Sequence, residues 1–194
     1  MKRTGILGGT FDPIHLGHLI IAEWVREEVK LEEVWFMPSH TPTYKVPPPE
    51  ASPEQRLEMV RLAVRDGPHF RVEDEEIRRG GATYTAETME RLAARHPDRE
   101  FYYIIGADMV AFLPRWHRID DLLRMVRFVG VRRDGFDLRA AVPEAARDRV
   151  LLVDAPYVGI SSTVVRQRLK GGKSVRYLIP AAVEQYIREN GLYG

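Results

Sequence analysis

A chain of 194 residues, 44% hydrophobic and 29% charged, with a formal net charge of +1, has the size and composition of one soluble globular domain. Near-neutral charge excludes a surface built as a whole for polyanions, so no nucleic-acid partner is expected, while a small anion site stays open. Cysteine is absent, which excludes disulfides and thiolate metal sites, and no apolar run approaches the roughly 20 residues of a membrane helix, so no membrane partner is expected.

In chain order, residues 3–7 read as a buried strand. The N-terminus before it lacks the apolar stretch of a signal peptide, and a cytoplasmic location is expected. A glycine-bearing turn follows, then a helix from His15 to about Lys30 with Ile20, Ile21, Trp24 and Val25 as its apolar face. Val34–Met37 is a second strand, ended by Pro38. Residues 38–53 hold six prolines and read as a long loop, a feature that is often functional inside a compact domain. Ser52-Pro53-Glu54-Gln55 opens a helix: serine caps, proline takes the first position, and glutamine completes a capping box.

Phe70–Val72 is a short strand. Gly80-Gly81 breaks the chain before a helix over Thr85–Arg95, with a threonine at its expected cap. Phe101–Ile105 is the central strand, ending at Gly106-Ala107-Asp108. A short helix, Trp116-His117 and a helix near Asp120–Val126 follow. Phe128–Val131 and Val150–Val153 are two more strands, joined by a partly helical stretch limited by Pro143. Gly159–Thr163 opens a helix that runs to about Lys170 and stops at Gly171-Gly172; Pro180 opens the last one.

Strands alternating with helices imply an α/β fold: a Rossmann-like, doubly wound parallel sheet with a small C-terminal helical extension. We expect a single domain over 1–194, with 159–194 as a helical subdomain that completes a phosphate site. Ligands in such sheets bind beyond the carboxyl ends of the strands, and residues 8–18, 106–108 and 159–163 all fall at such ends.

The stretch Gly8-Gly9-Thr10-Phe11-Asp12-Pro13-Ile14-His15-Leu16-Gly17-His18 carries the chemistry. Helix N-termini offer unpaired N–H groups and a dipole suited to an anion, and glycine allows close backbone approach. Neither the dinucleotide G-x-G-x-x-G fingerprint nor the P-loop is present, so phosphate binding needs another device. His15 and His18, three residues apart on one helix face, supply it.

Residues 8–18 match the H-x-G-H signature of the nucleotidyltransferase superfamily, and in detail resemble the nicotinate-nucleotide adenylyltransferases. Related phosphopantetheine adenylyltransferases share a G-x-F-D-P start but usually carry threonine where this chain has His15. The resemblance extends through Tyr84-Thr85, Gly106-Ala107-Asp108, Trp116, Ile160-Ser161-Ser162-Thr163 with Arg166, and Tyr177–Pro180. It implies adenylyl transfer from ATP to nicotinate mononucleotide, giving deamido-NAD and pyrophosphate. The alternatives are the same reaction on nicotinamide mononucleotide and a non-catalytic nucleotide sensor.

The physical reading agrees. The attacking phosphate is already an anion, so catalysis reduces to positioning and charge neutralisation. By the resemblance, His15, His18 and Arg166 are catalytic: the histidines contact the ATP phosphates and Arg166 holds the departing pyrophosphate. The ATP site adds Gly8, Gly9, Thr10, Phe11, Lys45, Gly106, Asp108, Ile160, Ser161 and Ser162. Asp108 bonds ribose or adenine, or else caps a helix. Tyr84, Thr85 and Trp116 form the mononucleotide site. Trp116 stacks on the pyridine ring or packs in the core, and Thr85 meets the nicotinate carboxylate at a helix start or serves as a plain cap. Asp12 is expected to bond within its own turn. Where the family commonly has Pro-Pro-His-Lys, this chain has Pro42-Thr43-Tyr44-Lys45. No carboxylate or histidine cluster suggests a protein-held metal, so Mg2+ is expected to arrive with ATP, held mostly by phosphate and water.

Overall fold

Six parallel strands frame the molecule, in a computed structural model that describes residues 1–42, 48–131 and 142–194, and within them all side chains but those of Ala107, Asp108 and Ala145. The strands are β1 (Lys2–Gly9), β2 (Glu33–Pro38), β3 (Phe70–Val72), β4 (Arg99–Gly106), β5 (Val126–Val131) and β6 (Val150–Val153), hydrogen-bonded in the order β3-β2-β1-β4-β5-β6. Chain order reverses direction between β1 and β4. At such a switch point the connections leave to opposite sides and open a crevice at the carboxyl ends of the strands.

The sheet is buried on both faces because successive side chains alternate. On one face Leu7, Phe36, Tyr102, Ile104 and Val129 join helices α1 (Leu16–Val29) and α2 (Pro53–Val64) in one core. On the other, Ile6, Trp35, Phe101, Tyr103, Ile105 and Phe128 pack against α4 (Thr85–Arg95) and α6 (Ile119–Met125). Two short helices complete this half: α3 (Glu75–Arg79), between β3 and α4, and α5 (Ala107–Val110), directly after β4. The C-terminal helices α7 (Ser162–Lys170) and α8 (Ala181–Glu189) give Val165, Val183 and Ile187 to the first core, so the tail shares the sheet's own hydrophobic centre.

Most expected elements stand where the pattern puts them. The Ser52 hydroxyl accepts the Gln55 N–H at 3.2 Å and the Gln55 side chain accepts the Ser52 N–H at 2.9 Å, the reciprocal cap read from the sequence. Gly80 and Gly81 both sit at positive φ, 72° and 73°, where a side chain is strained.

Three points differ from the expected reading. Helix α1 buries Gly17, Ala22 and Val25 and packs Leu19, Ile21 and Val29 against the same core, while Ile20 and Trp24 are exposed: the expected face holds at Ile21 and Val25 and not at Ile20 and Trp24. Helix α3 was not anticipated, since five residues are too few to show a period. Tyr84, not a threonine, is the N-cap of α4, and Thr85 is its first helical residue. Between β5 and β6, residues 132–141 lie outside the described residues, and a 3-10 turn over Glu144–Arg149 follows Pro143. Among the described residues no helix is long and apolar enough to cross a membrane.

Candidate active site

A cleft of about 760 Å³ opens at the switch point, a volume suited to a small-molecule ligand. Gly8, Gly9, Thr10 and Phe11 line it from the end of β1, His18 from α1, Gly106 from the end of β4, and Ser162 from α7. Tyr84, Thr85 and Trp116 line the same cleft. A hollow of about 600 Å³ elsewhere contains none of these residues. Its charges answer one another, with Glu100 taking Arg127 at 3.0 Å and Arg3 at 3.9 Å.

The histidine pair is built by its glycine. The His15 and His18 rings stack with centroids 3.6 Å apart and planes 22° off parallel. A Cβ on Gly17 would stand 3.0 Å from His15 Nδ1, a tight approach that would press on the His15 ring. His15 is buried as the N-cap of α1, and His18 lies in front of it in the cleft wall. The His15 backbone N–H donates to His18 Nδ1 at 3.1 Å. That nitrogen therefore carries a lone pair, which leaves the proton of neutral His18 on Nε2 as a donor. The Phe11 ring meets His18 edge-on at 5.0 Å and fixes its plane.

Gly8 has a second reason to lack a side chain: a Cβ there would run into the Tyr103 hydroxyl. The close approach is made by the protein's own tyrosine, not only by a ligand.

Asp12 departs from its expected role. It does not bond within its own turn. Its carboxylate accepts the N–H groups of Glu50 (3.0 Å) and Ala51 (3.1 Å) and the Tyr193 hydroxyl (2.6 Å). It thus ties the first motif to the end of the proline-rich loop and to the C-terminus. Burial and the adjacent carboxylate push the Tyr193 phenol far up, so it stays a donor.

Helix α7 is docked onto the same turn. The Ser161 hydroxyl caps it by accepting the Val164 N–H (3.2 Å), and the Ser162 hydroxyl donates to Pro13 O (2.8 Å). One turn further, Arg166 Nη1 donates to Asp12 O at 2.7 Å and its Nε meets Glu50 Oε1 at 3.2 Å. Lys170 reaches the same Glu50 oxygen at 2.9 Å. The structure thus joins residues about 150 positions apart, although Ile160, Ser161 and Arg166 stand beside the cleft rather than in its wall. Lys45 lies outside the described residues, as does the side chain of Asp108.

The side chain of the N-cap residue Tyr84 makes no cap bond to α4, so the N–H groups of its first turn keep their donor capacity beside Thr85. Trp116 is both wall and core. Its ring meets Tyr103 and Phe128 edge-on at 5.9 and 5.8 Å while it lines the cleft. The exposed Tyr84 ring lies 4.7 Å from that of His117.

Two charged residues escaped the sequence reading. Arg56 on α2 is fully buried and donates to the carbonyls of Thr10, Ser39 and His40 at 2.7 Å each and of Ala51 at 3.3 Å. It fastens the turn after β1 to both ends of the proline-rich loop. Glu76 on α3 is also buried and lines the cleft next to Thr83 and Tyr84. Both read as ordinary surface charges. Only the three-residue step from Glu76 to Arg79 beside a glycine pair hinted at a special site. Among the described residues, no three His, Cys, Asp or Glu side chains stand where they could share a metal ion.

The family model described as cytidylyltransferase-like matches residues 6–168. A Bacillus subtilis protein named nicotinate-nucleotide adenylyltransferase is 42% identical over 193 residues, spanning 100% of this chain and 99% of its own length. A Bacillus pumilus protein bearing the name "Probable nicotinate-nucleotide adenylyltransferase" is 47% identical over the same shares of the two chains. Among solved structures, a Plasmodium falciparum nicotinic acid mononucleotide adenylyltransferase complexed with NaAD superposes with a TM-score of 0.80. It is 20% identical and covers 100% of this chain and 98% of its own, which speaks to the fold. With that fold, this cleft and relatives matched end to end, the chain belongs to the nicotinate-nucleotide adenylyltransferases, within the cytidylyltransferase-like family.

Proposed function

We propose that this chain transfers the adenylyl group of ATP to nicotinate mononucleotide, giving deamido-NAD and pyrophosphate, as a cytoplasmic step of NAD biosynthesis. A phosphate oxygen of the mononucleotide forms a bond to the α-phosphorus of ATP, and the bond from that phosphorus to the bridging oxygen of pyrophosphate breaks. The observation that carries the reading is the cleft itself: one cavity is lined by the β1 turn, His18 and Ser162 and also by Thr85 and Trp116.

The residue roles follow from the chemistry each atom can do. His18 Nε2–H, aimed by the bond to Nδ1, suits a phosphate oxygen that gains charge as the leaving group departs. His15 holds the His18 ring by stacking and through its backbone N–H. Arg166, anchored to Asp12 O, keeps guanidinium N–H groups for pyrophosphate once Glu50 yields its share. The uncapped start of α4 favours a carboxylate over an amide at the pyridine end, because a helix N-terminus stabilises an anion. Mg2+ bound to the ATP phosphates would neutralise part of their charge. With no acidic cluster among the described residues, water and phosphate are its expected ligands.

The test is a paired assay of pyrophosphate release with ATP and either mononucleotide. The acid is expected to have the higher kcat/KM. A better rate with the amide would overturn the reading of α4. ATP binding with no pyrophosphate from either mononucleotide would make the protein a sensor.

A further inference from the structure

Glu76 is a carboxyl placed where the proposed substrate brings another. It lies on α3 against the start of α4, lines the cleft beside Thr83, Tyr84 and Thr85, and is 4% exposed. The Thr88 hydroxyl, on the first turns of α4, donates to its Oε1 at 2.9 Å, and the Thr83 side chain also reaches it. Arg79, three residues on, gives its guanidinium to Glu87 (2.8 Å) and Ala82 O (3.3 Å) instead. Its hydrogen-bonding partners are therefore hydroxyls, with the Arg79 charge acting on it without a direct bond, and the carboxyl shares the head of α4 with whatever the cleft binds there.

Resting on the reaction above, we propose that Glu76 sets the preference of the pyridine subsite between acid and amide. With its carboxyl neutral, the start of α4 is available to a substrate carboxylate; with it ionised, the two negative charges compete for the same helix end and the advantage of the acid is lost. Burial raises the Glu76 carboxyl above the ordinary carboxylate range, which brings this change toward working pH. The other groups near the subsite are Arg79 and Glu87, paired together, Tyr84 with its ring against His117, Arg115 in the cleft lining, and His40 beside Gly80.

Calorimetric Kd values for both mononucleotides, taken from about pH 5 to about pH 9, test this. The two ligands share a phosphate, so its titration cancels in the ratio of their Kd values. In the wild type, the advantage of the acid is expected to fall about tenfold as pH rises. Glu76→Gln should flatten the ratio. Thr88→Val, which removes a donor to the ionised form, should move the fall to higher pH. A flat wild-type ratio, or a slope that persists in Glu76→Gln and so belongs to His117 or His40, overturns the assignment. Binding with a flat ratio and normal turnover sinks this assignment alone, whereas a pH-dependent ratio without turnover supports it and sinks the reaction. If neither mononucleotide binds, both fall.

Discussion

At the scale of single residues, the site depends on where protons and side chains are held. His18 offers Nε2–H because the His15 backbone occupies Nδ1, and the absence of a Cβ at Gly17 leaves room for the His15 ring. His18→Ala removes the histidine of the pair that lines the cleft; its ring is only partly buried, and what it gives up is the stack on His15 and the edge contact with Phe11. We expect kcat to drop at least about 100-fold, with the thermal midpoint nearly unchanged. A variant of full activity would end the phosphate role. This part of the site was legible because the spacing of two histidines around a glycine has one sensible geometry at a strand-to-helix turn. Glu76 and Arg56 were not legible. A charged residue in an amphipathic helix reads as solvated, and only tertiary packing shows that its partners are backbone carbonyls or buried hydroxyls.

At the scale of elements, the cleft is held open by polar ties rather than by the helices alone. Asp12 joins the first turn to residues 50–51 and to Tyr193, and Arg56 joins it to the ends of β2 and the proline-rich loop. Replacing Arg56 by methionine would fill much of its volume and leave four carbonyls without their donor. The expected loss is about 3 kcal/mol or more, read from the midpoint of denaturant unfolding. An unchanged midpoint would show that those carbonyls find water or other partners. The caps were readable one by one: Ser52 and Ser161 behave as their sequences say. The threonine expected before α4 was misplaced by one residue, because two threonines flank Tyr84 and either could have capped.

At the scale of the whole molecule, alternating strands and helices were enough to foresee a doubly wound parallel sheet, and three motifs at strand ends were enough to foresee one site. Strand order was not readable, since nothing in six apolar runs says which lies beside which. The order β3-β2-β1-β4-β5-β6 is what turns those motifs into neighbours, by setting β1 and β4 side by side at the switch point. Helix α7 then closes the site from the far end of the chain through Ser162 and Arg166. Adenylyl transfer in this fold therefore requires both substrates to share this one cleft. A crystal structure with deamido-NAD bound tests that most directly. The dinucleotide phosphates are expected beside His18 and the start of α7, with the pyridine ring against Trp116 and its carboxylate at the Thr85 end of α4. A dinucleotide bound in the reverse sense, or outside the cleft, would contradict it.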